Sequence, residues 1–153
     1  MTVRTAKLED ASSLVGLLGC FHAESIYANS PLKFCKYTMM RTVLGFLKNM
    51  PETYCQVVER SGRVVGLMLA DIFPVPFADA KLSRVAFLYI HPKFRGGIAA
   101  FRMIKGYVNW AKSKGVLEIL GGTQSGVSPR KTKRLYERSG FKETGYTMRL
   151  EKG

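Results

Sequence analysis

The stretch from Leu88 to Ala100 constrains the fold more than any other part of the sequence. An apolar run ends at Pro92, a basic glycine pair follows, and a helical pattern begins near Ala100. Apolar residues then recur every three or four positions through Ala111, which is the spacing of one buried helix face. The stretch therefore predicts a strand, a tight loop and a helix, in that order.

The glycine pair Gly96-Gly97 follows Arg95 and precedes this helix. Glycine lacks a Cβ atom, so backbone N–H groups can approach a ligand closely, and the helix N-terminus attracts negative charge. Two glycines are equally typical of an ordinary strand-to-helix turn. The residues alone leave a phosphate site and a simple turn equally open.

The length and hydropathy of the chain predict a single domain spanning residues 1–153. The chain has 153 residues, of which 46% are hydrophobic, enough for one sizeable core. The longest apolar run, Val64 to Ala70, is far too short to span a bilayer, and the N-terminus lacks the apolar segment of a signal peptide. We expect a soluble cytoplasmic protein that does not associate with membranes.

The cysteines argue against a disulfide framework or a metal site. Cys20, Cys35 and Cys55 are odd in number, none stands in a C-x-x-C pair, and the chain has only two histidines. We expect reduced and mostly buried thiols, and no bound metal.

The net charge of +13 is placed unevenly along the chain. No Asp or Glu occurs between Ala80 and Leu117, where eight basic residues lie, and a second basic cluster covers residues 130–142. The eight are Lys81, Arg84, Lys93, Arg95, Arg102, Lys105, Lys112 and Lys114. Such a balance favours a polyanionic partner, such as a phosphorylated cofactor, nucleic acid or an acidic protein. A solvated basic face that keeps the protein soluble is the alternative.

Periodicity and turn residues predict the element order β-α-α-β-β-β-α-β-α-β. The strand after the main helix is predicted as a short buried one at Val116 to Leu120. Ser128 is predicted as the N-cap of the last helix, with Pro129 at its first position. Alternating residues from Phe141 to Leu150 predict one or two closing strands.

This order resembles the GNAT superfamily of N-acetyltransferases over nearly the whole chain. The cofactor motif of that family is Arg/Gln-x-x-Gly-x-Gly/Ala, and Arg95 and Ala100 match its ends, while Ile98 stands at the first glycine. A loop one residue shorter would instead place Gly97 and Ala99 at the two small positions. Such compact loops are similar to those of GNAT members encoded by bacteriophages.

A second motif, Leu-Tyr-x-x-x-Gly-Phe, strengthens the resemblance. Leu135, Tyr136, Gly140 and Phe141 match it at every position. The asparagine often found seven residues before the tyrosine is replaced by Pro129. Two motifs in the right order are far more specific than either motif alone.

The resemblance implies an α/β (α+β) GNAT fold: a mixed, mostly antiparallel sheet of six to seven strands with about four helices. It implies acetyl-CoA or another acyl-CoA between the fourth and fifth strands, with its pyrophosphate on the N–H groups of Gly96 to Ala100. A backbone N–H near Tyr89 or Ile90 would stabilise the oxyanion, and Tyr136 would protonate the departing thiolate. The cofactor-binding residues are then Tyr89, Ile90, Arg95, Gly96, Gly97, Ile98, Ala99 and Ala100, and Tyr136 is catalytic.

The expected reaction is direct attack of an acceptor's primary amine on the thioester in a ternary complex. The general base is open between Asp71, Glu24, His22, a water chain and an amine that arrives neutral. The acceptor is open as well, and the basic surface favours nucleic acid or an acidic protein; the protein would be a monomer or homodimer. The alternative function is a non-catalytic GNAT-fold protein that binds nucleic acid or an acidic protein through its basic face.

Overall fold

The computed structural model describes residues 1–150 and contains five strands and four α-helices. In chain order these are β1 (Thr2–Thr5), α1 (Ala11–Glu24), α2 (Lys36–Lys48), β2 (Tyr54–Arg60), β3 (Arg63–Pro74), β4 (Lys81–Ile90), α3 (Ala99–Ser113), β5 (Glu118–Ile119) and α4 (Pro129–Arg138). This order agrees with the predicted one as far as α4. Within residues 1–150, no helix has the length and apolar character needed to cross a membrane.

The strands form one sheet in the order β1-β2-β3-β4-β5. The first four strands pair antiparallel, while β5 pairs parallel to β4. A mixed and mostly antiparallel sheet is therefore confirmed, as are the four helices. The β2–β3 hairpin turns at Ser61 and Gly62, both with positive φ, as the glycine in the turn predicts.

The predicted number of six to seven strands is wrong, because the described residues form five. Residues 140–150 contain no strand, although their side chains alternate between apolar and polar. A strand needs a partner ladder, and β5, which ends before Gly121, is hydrogen-bonded over only two residue pairs. The predicted buried strand at 116–120 shrinks to Glu118–Ile119, and Leu117 is 76% exposed.

The sheet is covered on both faces, so the core has two halves. Leu67 and Leu69 of β3 pack towards α1 and α2, while Met68 and Ala70 between them pack towards α3. Successive side chains of a strand point to opposite faces, so β3 is buried continuously from Val65 to Ala70. This burial makes β3 the centre of the structure and fixes the position of its neighbour β4.

Two details of the sequence interpretation need correction. Ser128 is the residue before α4, as predicted, but it has positive φ and its side chain forms no capping hydrogen bond. The three cysteines are free, as predicted, but Cys20 and Cys35 are exposed and only Cys55 is buried. Cys20 lies within α1 and Cys35 directly precedes α2. Both are at positions that do not pack against the sheet, so burial does not follow from their residue type alone.

A matched pair of helical glycines tests the packing of α3 against β2. We expect Gly45→Ala in α2 to stabilise the fold by roughly 1 kcal/mol, because no atom lies within 4 Å of the added Cβ. Gly106→Ala in α3 should destabilise it by about 1–3 kcal/mol, because the Cβ would lie 2.5 Å from the hydroxyl of Tyr54. That hydroxyl donates to the carbonyl of Met103 at 2.8 Å. Urea unfolding of both variants measures the difference, and equal changes would contradict the packing.

Candidate active site

Strands β4 and β5 separate after a short contact and leave one edge of β4 open. They pair only at Leu82 with Glu118 and at Ser83 with Ile119, after which β4 continues to Ile90. The hydroxyl of Tyr107 lies 2.9 Å from Ser83 Oγ and 2.7 Å from the carbonyl oxygen of Leu120, at the point where the strands part. The Tyr107 side chain of α3 therefore joins β4 and β5 by hydrogen bonds at the point beyond which the two strands separate.

The hydrogen-bond pattern determines which groups of β4 face this opening. The N–H of His91 donates to the carbonyl of Val65 on β3 at 2.9 Å. Backbone groups of an antiparallel strand alternate in direction, so the N–H of Tyr89 points to β3 and that of Ile90 points to the open edge. Of the two positions predicted from the sequence, Ile90 is the one whose N–H is available to a ligand.

The glycine loop connects β4 to α3 as the sequence predicts. A short 3₁₀ turn, Pro92–Phe94, precedes it, and Gly96 has a φ of +97°, which favours glycine. The helix begins at Ala99, and the carbonyl of Ile98 accepts the N–H of Arg102 at 3.0 Å. The first N–H groups of a helix have no intrahelical acceptor, so those of Ala99 and Ala100 are free to bind an anion.

The two alternative alignments of the glycine motif differ in which residue must be small. Ala99 is 2% exposed and packs into the core against Met103, whereas Ile98 is 54% exposed. A larger side chain is therefore excluded at Ala99 but accommodated at Ile98. This burial is compatible with the compact alignment, with Gly97 and Ala99 at the small positions, and the choice between the two alignments stays a prediction.

The side chain of Arg95 turns back into the protein instead of towards the glycine loop. Its Nη2 lies 2.9 Å from Glu24 Oε2, its Nε donates to the carbonyl of Ile90 at 2.7 Å, and its guanidinium lies 5.2 Å from the ring centroid of Tyr89. The Tyr89 hydroxyl donates to the same oxygen of Glu24. Arg95 therefore holds the end of β4, and its contribution to a ligand would come through the loop it fixes.

Tyr136 lies on α4 and is only 5% exposed. Within residues 1–150, its hydroxyl is the one buried side-chain polar atom without a hydrogen-bond partner. Burial raises the pKa of Tyr136 above its ordinary value, and a contact with the backbone of Gly122 offsets this only in part, so the hydroxyl keeps its proton at neutral pH. A buried hydroxyl without a partner costs free energy unless an ordered water or a ligand atom supplies the partner.

Sequence reasoning missed Gly121, which determines where the ring of Tyr136 lies. A Cβ at this position would be 2.3 Å from Cε1 of Tyr136, so only glycine fits. The other side of the ring meets Phe141 edge-on at a centroid distance of 5.1 Å. A glycine pair after a short strand was the available signal, but the sequence does not show which side chain approaches it.

A groove of about 1420 Å³ adjoins Tyr136. It runs between β5, α4 and the segment 140–149. Its lining includes five basic residues and three acidic ones, namely Lys112, Arg130, Lys133, Lys142 and Arg149, and Glu118, Glu137 and Glu143. None of residues 95–100 lines it. The groove is thus separate from the glycine loop and gives an approach to Tyr136 from the α4 side.

The three candidate general bases are all engaged in other contacts. Asp71 pairs with Arg84 at 2.9 Å, and Nε2 of His22 lies 2.7 Å from the carbonyl oxygen of Leu32. Burial would raise the pKa of Glu24, but the contacts from Tyr89 and Arg95 outweigh it and hold the pKa below its ordinary value. The two carboxylates are held by guanidinium partners, while His22 uses only one of its ring nitrogens, so these contacts single out none of the three side chains as the base.

The basic residues are concentrated on the two helices that share one face of the sheet. Those on α3 and α4 are Arg102, Lys105, Lys112, Arg130, Lys131, Lys133, Arg134 and Arg138. Glu137 is the single acidic residue on these helices, and within residues 1–150 only Lys133 among the eight forms an ion pair, with Glu143 at 3.2 Å. This face, the α3–α4 basic face, therefore carries a large excess of positive charge, which Glu137 and Glu143 offset only in part.

Comparison with known proteins identifies relatives of the fold. The model of the Acetyltransferase (GNAT) family matches residues 17–141. A "predicted acetyltransferase with acetyl-CoA" from Clostridium acetobutylicum is 19% identical, with a TM-score of 0.77 over 98% of this chain and 95% of that one. No curated protein sequence matches the chain.

Two further solved structures have the same fold at similarly low identity. A ribosomal-protein-alanine N-acetyltransferase from Brucella melitensis biovar Abortus 2308 is 17% identical, with a TM-score of 0.68 over 98% of this chain and all of that one. Glucosamine-6-phosphate N-acetyltransferase from Arabidopsis thaliana is 14% identical, with a TM-score of 0.73 over 98% of this chain and 97% of that one. At these identities the likeness shows the fold alone, and the bacteriophage origin stays a prediction.

Proposed function

From the premise that this chain belongs to the acetyltransferase (GNAT) family, we propose that it transfers an acetyl group from acetyl-CoA to a primary amine of an acceptor. The observation that carries the proposal is the buried hydroxyl of Tyr136, which has no partner within residues 1–150. Such a hydroxyl is explained if its partner is a ligand atom that enters the opening between β4 and β5.

The described residues fit acetyl-CoA at two places. The N–H groups of Gly97 to Ala100 stand at the N-terminus of a 15-residue helix, where a pyrophosphate is favoured by free donors and the helix dipole. The open edge of β4 offers backbone groups along the path from this loop towards Ser83. Acetyl-CoA, when bound, supplies a thioester that an amine can attack without a nucleophile from the protein.

Two groups of the chain then act on the reacting atoms. The N–H of Ile90 is directed to the open edge of β4 and would donate to the carbonyl oxygen as negative charge develops there. The hydroxyl of Tyr136 would give its proton to the departing sulfur. The pKa of Tyr136 lies above the ordinary phenol value of about 10, so the hydroxyl is a weaker acid than a thiol of about 8.5 and can protonate the sulfur only at close range, where the transfer follows the charge.

The proposal assigns no side chain as general base. Asp71 and His22 are engaged elsewhere, and Glu24 is held ionised by Arg95 and Tyr89. The amine would therefore enter neutral or lose its proton to water after the new bond has formed.

The acceptor is proposed to carry negative charge, as nucleic acid or an acidic protein does. The α3–α4 basic face borders the groove beside Tyr136 through Lys112, Arg130 and Lys133. A polyanion on this face would be attracted over a distance of about 10 Å at moderate salt. The non-catalytic alternative is not favoured, because a surface-binding role gives no reason for the unpartnered hydroxyl of Tyr136.

One experiment tests both parts of the proposal. The melting temperature should rise by roughly 5–10 °C at about 100 times the Kd of acetyl-CoA, and release of CoA thiol should depend on the acceptor. The rates of thiol release with three kinds of acceptor are then compared at 50 and 300 mM salt (about a twofold change in screening length). The acceptors are single-stranded DNA with aminated bases, acidic peptides with an N-terminal or lysine amine, and small amines. A polyanionic acceptor should lose most of its rate at high salt. No rise in Tm and no thiol release with any amine would contradict the proposed function.

A further inference from the structure

The turn after α1 contacts both sides of the opening between β4 and β5. Glu24, the last residue of α1, contacts Tyr89 at the end of β4 and Arg95 at the start of the glycine loop. Two residues later, the N–H of Ile26 donates to the carbonyl of Ser125 at 2.8 Å, in the loop between β5 and α4. We call residues 24–26 the bridge.

The Glu24 end of the bridge fixes three parts of the cofactor side. One carboxylate oxygen of Glu24 accepts hydrogen bonds from both the Tyr89 hydroxyl and Arg95. Arg95 also donates to the carbonyl of Ile90, so the residue whose N–H faces the opening is held by the same guanidinium. Hydrogen bonds in which both groups are ionised are roughly twice as strong as neutral ones, so this end is a firm attachment.

The Ile26 end of the bridge is fixed by close packing. A Cβ at Gly126 would lie 2.5 Å from Cγ2 of Ile26, which is too close for a real contact. Gly126 also has a φ of +77°, a conformation that favours glycine. Between the two ends, Ser25 is 6% exposed; its Oγ donates to the carbonyl of His22 at 2.8 Å and accepts the N–H of Tyr27 at 3.1 Å. These contacts make the bridge a rigid connection.

We propose that Glu24 is a positioning residue, which holds the glycine loop and the Ile90 edge in the geometry that binds acetyl-CoA. The proposal rests on the proposed function, since it concerns the same site. The bridge also ties this side to the loop that leads into α4 and Tyr136. It therefore sets the distance between the groups that bind the ligand and the group that donates the proton.

The first test replaces the carboxylate of Glu24 by an amide. Glu24→Gln should raise the Kd of acetyl-CoA about tenfold, because Arg95 and the loop it holds lose their charged partner. Amide hydrogen exchange of residues 95–99 in the ligand-free protein should become faster. The control Glu9→Gln removes an exposed carboxylate whose only ion pair within residues 1–150 is with Lys7 at 3.9 Å, and it should leave both quantities unchanged.

A second set of variants separates positioning from a general loss of stability. Arg95→Met should weaken binding at least as much as Glu24→Gln, because it also removes the hydrogen bond to the carbonyl of Ile90. The effect of the double variant should be smaller than the sum of the two single effects, because both single variants remove the same ion pair. For Glu24→Gln the KM of acetyl-CoA should rise and kcat should fall as well, because the same guanidinium holds the glycine loop and the Ile90 edge that would stabilise the oxyanion. Gly126→Ala, which presses on Ile26, should instead lower kcat through the α4 side.

The outcomes distinguish the two proposals. Wild-type affinity and wild-type exchange in Glu24→Gln would overturn the positioning role and leave the proposed function intact. Failure of the wild-type chain to bind acetyl-CoA would overturn the proposed function, while the exchange measurement on the free protein would still decide whether Glu24 holds the loop.

Discussion

Replacement of Tyr136 by phenylalanine is expected to lower kcat by about 10²- to 10⁴-fold while the Kd of acetyl-CoA changes little. The substitution removes only the hydroxyl, which has no hydrogen-bond partner within residues 1–150, so the fold loses no hydrogen bond. The free energy of unfolding should stay the same or increase, because an unpaired buried polar group disappears. Thiol-release kinetics, calorimetric titration with acetyl-CoA and urea unfolding measure the three quantities.

One outcome would contradict the proposed role of Tyr136 as proton donor. If Tyr136→Phe retained the wild-type kcat, the proton for the departing sulfur would come from elsewhere, and the buried hydroxyl would be an unexplained cost. The raised pKa of Tyr136 sharpens the test. The wild-type phenol stays protonated at pH 7–9, because its pKa lies above the ordinary value of about 10. A difference in kcat between Tyr136→Phe and wild type in this pH range therefore measures the loss of a protonated hydroxyl.

Two adjacent glycines supply a matched control for the position of the Tyr136 ring. A Cβ at Gly121 would lie 2.3 Å from the ring, whereas a Cβ at Gly122 would meet nothing within 4 Å. Gly121→Ala should therefore displace the hydroxyl and reduce kcat by roughly tenfold or more, as small misplacements of reacting groups do. Gly122→Ala should leave kcat unchanged.

The local elements of the fold were predictable because each has its own signal in the sequence. The apolar stripe that predicts α3 and the glycine that predicts the β2–β3 turn are each local signals, which involve residues close together in the sequence. The structure agrees with both predictions. The glycine loop after β4 was predictable for the same reason. Its role as an anion site is a proposal that rests on free N–H groups and on the family.

The closing strands were not predictable from their residues. Tyr146, Met148 and Leu150 alternate with polar residues as a half-buried strand would, yet all three are more than 80% exposed. Alternation shows that a segment could pair, but a partner ladder must also exist. The neighbouring strand β5 offers only two residue pairs, a length that the sequence pattern at Val116 to Leu120 overestimates.

The decisive contacts of the candidate site are those between residues far apart in the chain. Glu24 and Arg95 are separated by 71 positions, and nothing near either residue indicates the other. The sequence suggested Glu24 as a possible base and Arg95 as a cofactor ligand, each considered alone. Their pairing changes both interpretations, because a carboxylate held by a guanidinium is a poor base and the guanidinium is already engaged.

Substitution of Gly97 by glutamate is expected to abolish the rise in Tm that acetyl-CoA produces, about 5–10 °C for wild type at 100 times the Kd. The new carboxylate would compete with a pyrophosphate for the N–H groups at the start of α3 and repel it. The ligand-free protein should not suffer, because the nearest atom to a Cβ at Gly97 is the flexible end of Met1, at 3.3 Å. A glutamate at a helix N-terminus even adds about 0.3–1 kcal/mol.

The same change at Gly16 is the control for this prediction. Gly16 is exposed on α1 and no atom lies within 4 Å of an added Cβ, so Gly16→Glu alters the charge equally and should keep the full rise in Tm. Gly97→Gln adds a side chain of similar size without the negative charge. If this variant keeps part of the rise in Tm that Gly97→Glu loses, charge repulsion and not size is the main effect. An undiminished rise in Gly97→Glu would contradict a pyrophosphate on these N–H groups. The glycine pair would then be a simple strand-to-helix turn, and the ligand would have to be held by the open edge of β4 instead.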